Sequence, residues 1–142
     1  MKNRNLDHKD DWATPEWLYK EWDEKYNFDF DPCPYQHDLT KWDGLKIDWG
    51  KRNFINPPYS RKLKEAFILK AIEESKKSKL CVMLLPVSTS TAIFHDHILP
   101  NKSDIIFIKR RVKFSGYNTK GEYVTNKPGM HDSMIVIFDG RY

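Results

Sequence analysis

The 142-residue chain holds only two cysteines, Cys33 and Cys81, far apart in sequence. Without a C-x-x-C pair there is no structural zinc spacing, and the usage fits a reducing compartment. No apolar run approaches the ~18 residues of a membrane span, and the start, Met1 to His8, has no apolar leader core. The expectation is a soluble protein of the cytoplasm that does not engage a membrane. The Walker pattern and the G-x-S-x-G elbow are both missing, which removes P-loop and serine-hydrolase chemistry. The histidines are scattered, and His95-Asp96-His97 has no third ligand at a supporting spacing, so no metal is expected. Internal repeats and low-complexity linkers are absent too.

What remains is a chain of single-domain size with a net charge of +4 and a pI near 9.0, compatible with a polyanionic partner. Residues 1–11 read as a polar arm and 12–142 as one domain. Thr14 is expected to cap a helix that has Pro15 at its first position and Trp17, Leu18, Trp22 and Tyr26 at helical spacing. Asn27 to Asp31 alternates like a strand. Residues 33–52 are irregular, with Trp42 and Trp49 as anchors, and Asn53 to Asn56 makes a short strand. Ser60 caps a second helix with Leu63, Ala66, Phe67 and Ala71 on one face. The run Leu80–Pro86 is apolar throughout, the mark of a strand buried on both faces. A short helix over 91–98 follows, then strands over 105–108, 112–114 and 133–138. Strands alternating with helices predict an α/β domain with a largely parallel sheet and a late antiparallel pair.

Ligands of such sheets bind beyond the carboxyl ends of the strands. Asp31-Pro32-Cys33 closes one strand there and Asn56-Pro57-Pro58-Tyr59 another. The tetrapeptide carries the more specific chemistry. An exocyclic amine such as N6 of adenine is a poor nucleophile, because its lone pair is delocalised into the ring. The Asn56 amide oxygen and the Pro57 carbonyl would accept both N6 protons and offset the positive charge that develops as a methyl group arrives. The two prolines fix the backbone that aims them, and Tyr59 would stack on the base. Asp31 would hold an ammonium. A turn-initiating Asp before Pro is the bland reading of Asp31, and a strand-to-loop turn that of the tetrapeptide.

Five elements in this order, Trp12-Ala13-Thr14-Pro15, Phe30-Asp31-Pro32-Cys33, Asp43-Gly44-Leu45, Asn56-Pro57-Pro58-Tyr59-Ser60 and Val82-Met83-Leu84-Leu85-Pro86, resemble the phage-type DNA N6-adenine methyltransferases, the Dam family of phages and prophages. Lys109 to Phe114 and Ser133 to Phe138 fit the same pattern, so the resemblance spans residues 12–139. It implies a compact Rossmann-like fold with a mostly parallel sheet, S-adenosylmethionine as methyl donor, DNA as partner and a phage or prophage setting inside a bacterial host. It also implies roles. Thr14 and Pro15 would approach the methionine carboxylate, Asp31 its ammonium, with Pro32 and Cys33 lining the pocket and Asp43 at the nucleoside end. Asn56, Pro57, Pro58 and Tyr59 would form the catalytic site, and Phe114 would cover the other face of the base.

The segment from Asp31 to Asp38 departs from most methyltransferases, which place a glycine-rich loop after this strand; here it has no glycine. The basic run Lys109, Arg110, Arg111 and Lys113 is a candidate for DNA phosphates, with a solvated strand edge as its rival. Residues 116–132 read as a loop for DNA contact. Two other functions stay open at this level: a methyltransferase acting on an RNA base or a protein glutamine, and a non-catalytic nucleic-acid-binding remnant. No pattern fixes an oligomeric state.

Overall fold

The computed structural model describes residues 12–37, 40–41, 43–118, 120–128 and 131–141. The arm expected at 1–11 and the anchor expected at Trp42 lie outside them. Helix α1 (Glu16–Tyr26) leads to β1 (Arg52–Ile55), α2 (Arg61–Ser75) and β2 (Leu80–Pro86). A π-helical turn (Phe94–Ile98) then runs into one α-helical turn, α3 (Leu99–Asn101). The chain ends in β3 (Asp104–Phe107), β4 (Lys113–Tyr117), β5 (Tyr123–Pro128) and β6 (Ser133–Asp139).

The main sheet has the order β1-β2-β6-β3, and β4 and β5 form a separate hairpin. Strand β2 is its spine, because every second side chain enters a different core. Cys81, Met83 and Leu85 pack with Ile55, Met134, Val136 and Phe138 beneath Phe67, Ile68, Ala71 and Ile72 of α2. Leu80, Val82 and Leu84 pack with Phe54, Ile135 and Ile137 against Leu18 and Trp22 of α1 and Val112 and Phe114 beside the hairpin. This two-sided cover is why β2 reads as an unbroken apolar run. Each fully buried aliphatic side chain contributes about 1.5–3 kcal/mol.

Several expectations are corrected. The sheet is mixed: among its four named strands, β1 and β2 pair in parallel and the other two pairings are antiparallel. Strand β6 runs antiparallel between β2 and β3, so it separates strands that share a direction. The strand expected at Asn27–Asp31 shrinks to one parallel bridge, Phe30 to Asn53. Helix α1 persists to Tyr26, and Asn27 ends it in the left-handed conformation, φ 53°. Thr14 does not cap α1; Pro15 occupies the cap position, with no side-chain cap bond. The helix after β2 is π-wound from Phe94, with Leu99 N–H donating to the Phe94 carbonyl. Pro100 has no N–H to continue an α ladder, which accounts for the shift in winding there. Within the loop expected over 116–132, the described residues include the paired strands β4, to Tyr117, and β5, from Tyr123 to Pro128. The turn between them is closed by Asn118 N–H to the Glu122 carbonyl at 2.9 Å, with Gly121 at φ 78°.

The irregular stretch before β1 is tied down by one charge. Glu74, fully buried on α2, accepts from Trp49 N–H at 2.7 Å, Lys79 Nζ at 2.7 Å and Lys77 Nζ at 2.7 Å, with Lys70 at 3.4 Å. Trp49 is the anchor expected from the sequence. Burial alone would raise the Glu74 pKa, but the Lys77 and Lys79 bonds, the Trp49 N–H and the Lys70 charge outweigh it and hold the group at about 2. A depressed carboxylate pKa stabilises the fold above the unfolded value of 4.5, and that contribution fades as pH falls toward about 2. Glu74→Ala should cost about 3–5 kcal/mol in urea denaturation near neutral pH, because it strands buried ammonium groups. The wild-type and Glu74→Gln stabilities should converge as pH drops through that window. A constant gap between them would show that Glu74 is not ionised in the fold.

Candidate active site

The Phe30–Asn53 bridge lies alongside the parallel β1–β2 pairing, so Asp31 and Asn56 leave their strands at the same edge of the sheet. Phe54 N–H donates to the Phe30 carbonyl at 3.1 Å, which fixes the two chain segments side by side. Just beyond, the Cys33 thiol donates to the Asn56 carbonyl at 3.2 Å. The Asp-Pro-Cys and Asn-Pro-Pro-Tyr elements, 23 residues apart at this point, thus meet directly.

The Asn56 side chain is oriented by a third segment. Its Nδ2 donates to the Trp12 carbonyl at 2.8 Å. That carbonyl is placed by an antiparallel bridge in which Ala13 N–H donates to the Ser115 carbonyl at 2.7 Å. With the amide nitrogen committed, Oδ1 is the end left over, and it is buried with no partner among the described residues. A buried acceptor without a donor costs on the order of 1–3 kcal/mol, and Oδ1 keeps its capacity to accept an N–H. Pro57 and Pro58 are buried behind it.

Tyr59 packs edge to face on Phe114, with ring centroids 5.5 Å apart and planes at 85°. Its hydroxyl is also buried with no partner among the described residues, and desolvation raises its pKa well above the ordinary value. Phe114 is 4% exposed and belongs to the core under α1. Rings in edge contact leave no slot between them, since a flat base needs about 3.5 Å to each face. A base reaches Tyr59 only if the two rings part.

Asp31 faces this edge from a desolvated recess. Burial raises its pKa to about 6, partly opposed by the Cys33 N–H that donates to Oδ1 at 2.9 Å. It makes no other hydrogen bond or ion pair among the described residues. The Asp31–Asp38 stretch has no glycine, but Gly44 packs against it. A Cβ on Gly44 would lie 2.0 Å from the Pro32 carbonyl oxygen, so only glycine allows this approach. Gly44 is held in turn by Trp49 Nε1, which donates to its carbonyl at 2.7 Å. Asp43 is thereby brought beside Asp-Pro-Cys, with its Oδ1 accepting from Leu45 N–H at 3.0 Å.

The profile of the DNA N-6-adenine-methyltransferase (Dam) family matches residues 2–141. The chain belongs to this family. Its reaction is accordingly methyl transfer to the N6 amine of adenine in DNA. A DNA N-6-adenine-methyltransferase of Haemophilus phage HP1 is 35% identical over 151 aligned positions, covering 96% of this chain and 83% of the relative. A second, from Escherichia phage T1, is 32% identical over 111 positions, covering 71% of this chain and 45% of the relative.

Within this methyltransferase, Thr14 and Pro15 are half-buried between the Ala13 bridge and α1, with the Pro15 carbonyl accepting from Leu18 and Tyr19 N–H. Lys109, Arg110, Arg111 and Lys113 are exposed before and at the start of β4. Arg111 is 3.7 Å from Asp132, so part of that charge is met within the chain. Two features escaped the sequence reading. One is the Trp12 backbone carbonyl, which no side-chain pattern can signal. The other is Tyr19, whose ring packs on Phe54 at 5.2 Å and whose hydroxyl pKa is raised by desolvation, Asp23 and Asp31.

The Asp31 environment has a stability signature. An acid whose folded pKa, about 6, exceeds its unfolded 3.8 favours the fold only while protonated, so stability is lost as pH rises between these values. Asp31→Asn should therefore match the wild-type thermal midpoint in acid and exceed it above about pH 6, by roughly 3 °C per kcal/mol recovered. An equal or lower midpoint at alkaline pH would show that Asp31 is not desolvated.

Proposed function

We propose that Asn56 Oδ1, together with the Pro57 carbonyl, receives the N6 protons of an adenine swung out of the duplex, on a Rossmann-like methyltransferase scaffold. The observation that carries this reading is the buried, partnerless Oδ1 left by the Asn56–Trp12 bond. In place before the substrate arrives, such an acceptor offsets the charge that develops on the amine without reorganisation cost. The common direction of β1, β2 and β3, with β6 reversed between β2 and β3, supports the scaffold assignment.

S-adenosylmethionine supplies an electrophilic methyl group on its sulfonium. Asp31 fits its ammonium, since the carboxylate is poorly solvated and has spare acceptor capacity. Thr14 and Pro15 would meet the methionine carboxylate, Pro32 and Cys33 the pocket wall, and Asp43 the nucleoside. Cys33 does a second task by holding the Asn56 backbone carbonyl. Tyr59 takes one face of the base once its ring and that of Phe114 part, and Phe114 then borders the other face. The exposed Lys109, Arg110 and Lys113 are suited to DNA phosphates, as is Lys120 at the hairpin turn. No described helix is long and apolar enough to cross a membrane, and we place the enzyme in the cytoplasm of a bacterial host, where its DNA would be.

Asn56→Ala should lower turnover by two orders of magnitude or more, about the loss for one preorganised partner. Calorimetric affinity for S-adenosylmethionine should change little. Asp31→Ala should do the reverse, weakening that affinity by about 1.5–3 kcal/mol. Wild-type affinity should also fall as pH drops below about 6, where the carboxylate takes up its proton. Near-full turnover in the Asn56 variant, or unchanged affinity in a folded Asp31 variant, would remove that residue from its role.

Swinging out a paired adenine costs a few kcal/mol, and stacking on Tyr59 returns about 1–3 kcal/mol. Tyr59→Ala should therefore lose more kcat/KM on a paired target than on a mismatched one, and Tyr59→Phe should be mild. Equal losses on both substrates would mean that Tyr59 does not act by stacking.

A further inference from the structure

On the far side of the tetrapeptide from Phe114, an open recess lies between α2 and the chain following β2. Ile68, Leu85 and Met134 form its apolar floor, and Arg61, Lys64 and Ser88 stand around it. We propose that this recess is a second DNA-contact site, in which Arg61 and Lys64 take an internucleotide phosphate of the substrate strand.

Three observations carry the assignment. The first is position. Leu85 and Pro86 are the carboxyl end of β2, and Arg61 follows Tyr59 by two residues, within about 7 Å along the backbone. The recess therefore opens on the same edge of the sheet as Asn56 and Tyr59.

The second is charge. Arg61 is paired with Glu65 at 3.1 Å, but the Lys64 ammonium makes no hydrogen bond or ion pair among the described residues. Arg61 and Lys64 against Glu65 leave a surplus of one positive charge at the mouth. The third is the state of that surplus. Lys64 is half-buried, and desolvation lowers its pKa, with Glu65 opposing and Arg61 adding to the effect. A partly dehydrated cation without a partner gains from a fixed anion what exposed lysines do not, because the cost of removing water has already been met in the fold. The apolar floor suits the deoxyribose next to such a phosphate. Glu65 limits the attraction, so its removal should strengthen binding.

The proposal rests on DNA being the substrate, and salt dependence tests it on the full chain. The probe is a fluorescein-labelled duplex, with affinity read by anisotropy across a salt series. Removing one lysine or arginine from a phosphate should flatten the slope of log affinity against log salt by about 0.9. Arg61→Gln/Lys64→Gln should bind about tenfold more weakly at low salt, with a slope shallower by about 1 to 2. Glu65→Gln should bind more tightly than wild type. Lys51→Gln/Lys76→Gln removes the same charge from exposed residues at the opposite edge of the sheet and should change the slope less. Calorimetric affinity for S-adenosylmethionine, with a cooperative thermal transition, confirms that each variant is folded.

Equal effects of the two double variants would reduce the recess to a share of net charge and overturn the proposal. So would an unchanged slope with Glu65→Gln neutral. If Arg61→Gln/Lys64→Gln does not fold, Arg61→Gln alone decides, since that side chain is 82% exposed. N6-methyladenine formed by the wild type on the same duplex is scored in parallel. Its absence would overturn the enzyme reading, whereas an active wild type beside an indifferent recess variant overturns only the phosphate site.

Discussion

A single hydrogen bond, from Asn56 Nδ2 to the Trp12 carbonyl at 2.8 Å, decides which end of the amide proposed to be catalytic stays without a partner. Without it the amide would turn freely and present donor and acceptor alike, and a donor facing N6 would repel the amine protons. The bond depends on Trp12 being held in turn by the Ala13–Ser115 bridge to β4 and by burial of its own ring beneath the sheet. The amino-terminal segment, the centre of the chain and the late hairpin are therefore all needed to set one acceptor. A protein of this size can hold such a constraint because β2 and β6 form a rigid, two-sided core directly beneath it.

The electrostatics of the edge follow from the same economy of space. Asp31 and Tyr59 are both desolvated, and each carries a raised pKa for that reason. Desolvation costs the empty enzyme stability, and it also makes Asp31 respond strongly to a cation. Perturbed groups of this kind are typical of sites poised for a charged ligand. Cys33 couples the two halves by donating to the Asn56 carbonyl, so displacement of the Asp-Pro-Cys segment is felt at the Asn56 backbone.

The Glu74 cluster secures the opposite edge of the sheet. It gathers Lys70, Lys77, Lys79 and the Trp49 backbone around one carboxylate, and Trp49 passes that constraint on to Gly44 through its indole N–H. Gly44 is the residue that lets the chain close on Pro32. A structural ion pair at one edge is thus linked to the Asp-Pro-Cys segment at the other, through a chain of contacts and not through any shared charge.

The sequence by itself determined which elements would be covered on both faces and, through the family pattern, the reaction. The unbroken apolar run at Leu80–Pro86 can satisfy its side chains only between two layers, and Asn-Pro-Pro-Tyr restricts its own backbone whatever surrounds it. Local pattern also located α1, α2 and β6, since periodicity is a property of consecutive residues. Only tertiary structure decided the rest. Insertion of β6 between β2 and β3 made the sheet mixed, and strand order leaves no trace in the local sequence. The strand expected at Asn27–Asp31 shrank to the Phe30–Asn53 bridge, because Asn27 is taken up by the left-handed turn that ends α1. The orientation of Asn56 was set by a backbone carbonyl 44 residues away, and the close approach to Pro32 was made possible by Gly44 from a later segment. Contacts between distant backbone atoms depend on where the chain goes, which side-chain identity alone does not encode.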